Sequence, residues 1–116
     1  MKKFISLIVI CLLLTACGEK YKTITTNEAL ELINKGAIII DVRTVDEYNE
    51  GHIKGAINIP VDTIEDITYD KMDTLIIYCA TGVRSAKAAN ILADMGYTSL
   101  YNLDGGLLNW GSDLEE

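Results

Sequence analysis

Two short apolar runs constrain this chain more than any other feature: Ala37-Ile38-Ile39-Ile40 and Leu75-Ile76-Ile77-Tyr78. Each is continuous rather than alternating, rich in β-branched residues and too short for a helix. A run of that kind suits a strand covered on both faces, as in a parallel sheet. Both stop abruptly where polar chemistry begins, the first at Asp41-Val42-Arg43 and the second at Cys79.

The remaining segments supply the covering layers. Thr25-Thr26-Asn27 reads as the cap of a short amphipathic helix running through Ile33 and stopping at Gly36. A brief helical turn is expected over Val45 to Asn49. A loop follows over Gly51 to Pro60, with an extended piece at Ala56 to Ile59, and then a helix over Val61 to Ile67. Ser85 to Met95 is the strongest helix. Ala88, Ile91, Leu92 and Met95 fall at i, i+3, i+4 and i+7, and Gly96 suits the position just past the end. Ser99 to Leu103 reads as another strand, Asp104-Gly105-Gly106 as a turn, and Leu107 to Trp110 as a last short helix. Strands alternating with helices imply a single α/β domain with a mainly parallel sheet, spanning 25–116. In open sheets of this kind ligands bind beyond the carboxyl ends of the strands. Asp41-Val42-Arg43 and Cys79 both stand at such ends and could share one crevice.

The loop after Cys79, Ala80-Thr81-Gly82-Val83-Arg84, is small and flexible enough to curl tightly. Inward-turned backbone N–H groups make an anion-binding nest, and a following helix adds the positive end of its dipole. Arg84 adds a permanent cation. A thiol in such surroundings ionises below its free value of about 8.5. The same donors suit an anionic substrate. The plain alternative is a buried, inert cysteine at a strand end, with Arg84 an ordinary surface residue.

The N-terminus belongs to a different part of the chain's life. Lys2-Lys3 and the apolar stretch Phe4 to Leu14 have the charge and length of a secretory signal, roughly 7–15 apolar residues. That is short of the ~20 needed to span a membrane. Leu14-Thr15-Ala16-Cys17 resembles the bacterial lipoprotein signal, which implies cleavage of residues 1–16 and lipidation of Cys17. Residues 17–24 are then the lipidated cysteine and a tether, and the protein is exported and held on the cell envelope by acyl chains. Without Lys2 and Lys3, eight basic residues face 17 acidic ones, a net charge of about −9. That balance disfavours nucleic acid as a partner. Cys11 lies in the signal, so Cys79 becomes the one free thiol and no internal disulfide forms.

The loop Tyr78-Cys79-Ala80-Thr81-Gly82-Val83-Arg84-Ser85 resembles the active-site loop of the rhodanese family, the single-domain sulfurtransferases. Three further stretches are similar to that family in the same order: Asp41-Val42-Arg43 with Glu47-Tyr48, "GHIKGAINIP" over Gly51 to Pro60, and "YNLDGGLLNW" over Tyr101 to Trp110. The resemblance implies a five-stranded parallel sheet with helices on both faces. It implies that Cys79 takes sulfur from a small anionic donor such as thiosulfate and carries it as a persulfide to cyanide or a thiol, with no cofactor. Backbone groups from Ala80, Thr81, Gly82, Val83 and Arg84 are then the substrate cradle.

One departure concerns the residue after the cysteine, often basic or larger and polar in relatives and here Ala80, which leaves Arg84 as the loop's sole cation. A related phosphatase or arsenate reductase is the first rival. Four residues separate Cys79 from Arg84, whereas cysteine phosphatases resemble Cys-x5-Arg, so this cradle is smaller. A non-enzymatic or slow sulfur-relay domain serving an envelope partner is the second. Supporting roles fall to Asp41, Arg43 and His52. Asp41 is expected to bond backbone near the loop, Arg43 to pair with Glu47 at i, i+4, and His52 to brace a loop by hydrogen bonding. His52 is the chain's one histidine, which excludes a histidine metal cluster.

Overall fold

The computed structural model describes residues 20–111 and 114–116. The signal over 1–16 and Cys17 lie outside the described residues. Five strands form one sheet: β1 (Lys22–Ile24), β2 (Ile38–Asp41), β4 (Ile57–Asn58), β5 (Thr74–Tyr78) and β6 (Ser99–Leu103). Their order is β1-β6-β5-β2-β4, and all neighbours are parallel. A small antiparallel pair joins β3 (His52–Ile53) to β7 (Leu114–Glu115). The helices are α1 (Thr26–Asn34), α2 (Val45–Glu50) and α3 (Val83–Asp94), with 3-10 turns at Val61–Asp66 and Gly106–Asn109. Among the described residues no helix is long and apolar enough to cross a membrane.

The two apolar runs are the central strands, as their composition requires. β2 and β5 pair directly, Ile38 against Leu75 through Asp41 against Tyr78. Their side chains alternate between two cores. Ile40, Leu75 and Ile77 point to a layer completed by Ala88, Ala89 and Leu92 of α3 and by Ile64. Ile39, Ile76 and Tyr78 point to the opposite layer, with Ala29 of α1, Ile53 and Trp110. Burying a Leu or Ile side chain of this kind contributes about 1.5–3 kcal/mol relative to leaving it exposed.

Helix starts are specified locally. Thr25 and Thr44 each accept a bond from the backbone N–H three residues on. Glu28 and Glu47 return the contact to the threonine backbone, giving two capping boxes.

Three expectations need correction. Residues 22–24, read as part of a tether, form the edge strand β1 and pair with Tyr101 to Leu103. Three residues carry too little pattern to stand out, and the pairing partner lies some eighty positions away. The helices expected over Val61 to Ile67 and Leu107 to Trp110 are instead 3-10 turns, at Val61–Asp66 and Gly106–Asn109.

Candidate active site

β2 and β5 end side by side, and the two stretches that follow them build the site. Val42 N–H donates to Tyr78 O at 3.0 Å, so the ends are tied together by main chain. Beneath them is a buried polar network. Asp41 is 0% exposed. It accepts from Arg43 backbone N (2.9 Å), from Arg43 Nε (3.0 Å) and Nη2 (2.7 Å), and from Tyr78 Oη (2.6 Å). Tyr78 Oη in turn accepts from Ile53 N at 3.1 Å. Arg43 Nη2 also donates to Gly51 O at 2.7 Å. Burial, followed by the bond to Asp41, pushes the Tyr78 hydroxyl well above the usual tyrosine range. It therefore stays a neutral donor.

Cys79 follows Tyr78 immediately and is 1% exposed. Gly82 N–H points at Sγ from 3.0 Å and Ser85 N–H from 3.4 Å, with Ser85 Oγ also 3.4 Å away. Burial alone pushes this thiol up. The Ser85 hydroxyl and the N–H groups of Ser85, Gly82 and Thr81 outweigh it, so the net shift is downward. Ser85 Oγ donates its single proton to Asn102 Oδ1 at 2.6 Å, which leaves its lone pairs facing a neutral thiol. An ionised sulfur would compete with Asn102 Oδ1 for that proton.

The curl has two glycine requirements. Gly82 caps α3 with φ of 108°, in the left-handed region. Gly106 lies under the loop, where an added Cβ would stand 2.4 Å from Cys79 O and 2.7 Å from Ala80 O. That closeness lets Leu107 N–H donate to Cys79 O (2.8 Å) and Leu108 N–H to Ala80 O (3.2 Å). The Asp104-Gly105-Gly106 turn is thus a clamp on the Cys79 loop.

The charged residues differ from expectation. Arg43 does not pair with Glu47, because fully buried Asp41 takes its guanidinium. Asp41 bonds the backbone of Arg43 at its own strand end and reaches the Cys79 loop only through Tyr78. Glu47 pairs with Arg84 instead, in a bidentate contact of 2.7 and 3.0 Å. The Arg84 bond holds the Glu47 carboxyl down at about 2, against a usual 4.5. His52 stacks on Tyr48 with ring centroids 3.6 Å apart, and its Nδ1 lies 2.9 Å from Tyr48 O. Ser85, Asn102, Tyr78 and Gly106 have parts in the site that the sequence reading did not assign. A tyrosine inside an apolar strand was the one usable signal, since a buried hydroxyl needs a partner.

A parallel five-stranded sheet with a curled Cys-to-Arg loop at the end of its central strand agrees with the family comparison: the model described as "Rhodanese-like domain" matches residues 25–113. The chain belongs to the rhodanese-like domain family. This rhodanese-like domain is 36% identical over 94 residues to the thiosulfate sulfurtransferase GlpE of Ectopseudomonas mendocina, covering 79% of this chain and 86% of that one. It is 41% identical over 70 residues to the thiosulfate sulfurtransferase PspE of Escherichia coli, covering 57% and 67%. A solved rhodanese-like domain protein from Staphylococcus aureus superposes with a TM-score of 0.72 at 39% identity, covering 81% of this chain and 96% of that one.

Proposed function

We propose that this rhodanese-like domain is a sulfurtransferase that carries sulfane sulfur on Cys79. The observation behind the reading is the convergence of the Gly82 and Ser85 N–H groups on Sγ at 3.0 and 3.4 Å. Preorganised dipoles of this kind favour an anionic sulfur without reorganisation during reaction.

The first half-reaction is attack by the Cys79 thiolate on the outer sulfur of a donor, for which thiosulfate is the reference. The bond between that sulfur and the sulfonate sulfur breaks, sulfite leaves with the electron pair, and Cys79 becomes a persulfide anion. In the second half, a thiolate or cyanide attacks the outer sulfur and Cys79 leaves as thiolate. No redox partner or cofactor enters either step. The two halves follow thiol–disulfide exchange, where thiolate fraction and leaving-group pKa set the rate. Cys79 is 1% exposed, so a donor reaches Sγ only through the mouth of the loop that cradles it. In this reading Ala80, Thr81, Gly82, Val83 and Arg84 line the approach. Asp41 and Arg43 hold the strand ends, and His52 braces the segment behind them.

The lipoprotein-like stretch ending at Cys17 supports an exported domain held near the lipid surface, with an envelope thiol as acceptor. One variant decides the sulfur chemistry. Incubation with thiosulfate should add one sulfur atom to the intact protein by mass spectrometry, and Cys79→Ser should gain none. Equal sulfur on both proteins contradicts the proposal.

A further inference from the structure

If Cys79 carries sulfur as proposed above, the charge of the donor is read at the loop mouth. Four observations describe that mouth. Arg84 is the loop's one cation, and both its terminal nitrogens are engaged by the Glu47 carboxylate at 2.7 and 3.0 Å. The other nearby guanidinium, on Arg43, is taken by Asp41 and is 7% exposed at its side chain. The outward-facing loop residues beside Arg84 are uncharged, Thr81 being exposed and Val83 76% exposed, and so is Leu108, tied to Ala80 O through its N–H and 77% exposed. The chain as a whole carries a net charge of −7. An incoming anion therefore meets neutral backbone dipoles and an already neutralised cation.

We propose that Glu47 is a specificity-determining residue that masks Arg84 and biases the site toward sulfane-sulfur donors of low charge, such as alkyl hydropersulfides, over the thiosulfate dianion. The physical reason is proportionality. Masking one positive charge removes twice as much attraction from a dianion as from a monoanion at the same distance. The chemistry stays balanced with the low-charge donor. The Cys79 thiolate attacks the outer sulfur of R–S–S⁻, the S–S bond breaks, R–S⁻ leaves, and Cys79 becomes the persulfide anion.

The test is Glu47→Gln in the full chain held in detergent. Glutamine at this position still serves the capping box with Thr44, so α2 keeps its start while the charge is removed. Donors are thiosulfate and the hydropersulfide of 2-mercaptoethanol, with cyanide as acceptor. The ratio of kcat/KM for thiosulfate to that for the hydropersulfide should rise about tenfold, the equivalent of about 1.4 kcal/mol. The gain should lie in a lower KM for thiosulfate, together with tighter competitive inhibition by sulfate. Adding Arg84→Gln to Glu47→Gln should erase the gain. A ratio that stays within about twofold or falls, while Cys79 still takes up sulfur, overturns the masking role and leaves Glu47 as an orienting partner of Arg84. Failure of both donors to load Cys79 overturns the transfer reading and this inference with it.

Discussion

Two arginine–carboxylate pairs flank the same strand ends and behave differently. Arg43–Asp41 is closed off, with side-chain exposures of 7% and 0%. Arg84–Glu47 has equally short contacts but side-chain exposures of 37% and 34%. Geometry alone does not separate them; solvent does. In the first, each partner is committed, since removing one leaves a buried charge alone. In the second, water and salt stand ready to replace either partner. The inner pair therefore fixes the platform on which Cys79 stands, and the outer pair is free to be adjusted by what approaches the loop.

Removing Asp41 should have the largest effect on stability. Asp41→Leu strands the Arg43 guanidinium and is expected to cost about 3–5 kcal/mol in denaturant unfolding. A loss below about 1 kcal/mol would erase the distinction between the pairs. Tyr78→Phe deletes the hydroxyl that joins Asp41 to the Ile53 N–H and leaves that buried N–H unpaired. We expect a loss of about 1–3 kcal/mol, read by the same unfolding curve. Glu47→Gln should cost less than about 1 kcal/mol at neutral pH, a loss that shrinks further in high salt.

The outer pair also has a pH signature. The Glu47 pKa is depressed from 4.5 to about 2, so its stabilising contribution is fully present above about 4.5 and is lost as pH falls through about 2. Thermal melts of the protein and of Glu47→Gln should thus converge over that window. Parallel curves throughout it would show that the Arg84 contact contributes nothing. The smallest structural change is Ser85→Ala, which removes one hydroxyl from Sγ. It should raise the thiol pKa of Cys79, as followed by alkylation rate against pH, and should also cost about 1–3 kcal/mol in unfolding, because buried Asn102 Oδ1 loses its donor.

Much of this architecture is legible in the sequence because it depends on local pattern. Continuous β-branched runs marked β2 and β5, and 3.6-residue periodicity marked α3, whose observed start at Val83 precedes the expected Ser85 by two residues. Placing Asp41 beside the end of the strand that carries Cys79 followed from the rule that parallel strands present their carboxyl ends together; the two side chains are buried and share no open crevice. The rest depends on contacts between distant segments. Glu47 and Arg84 are 37 positions apart, and the nearer partner at i, i+4 misled the reading of Arg43. Ser85 and Asn102 meet because α3 packs across β6, which no local spacing announces. The clamp at Gly106 shows as a turn in sequence. Its closeness to Cys79 O is visible only when an added Cβ would collide.

The claim beneath these comparisons is that backbone dipoles and one hydroxyl hold the Cys79 sulfur as an anion despite its burial. The most direct measurement is the pH dependence of alkylation in a chain beginning at Gly18, where Cys79 is the single thiol. The account predicts a midpoint clearly below the free-cysteine value of about 8.5. A midpoint at or above that value would contradict it.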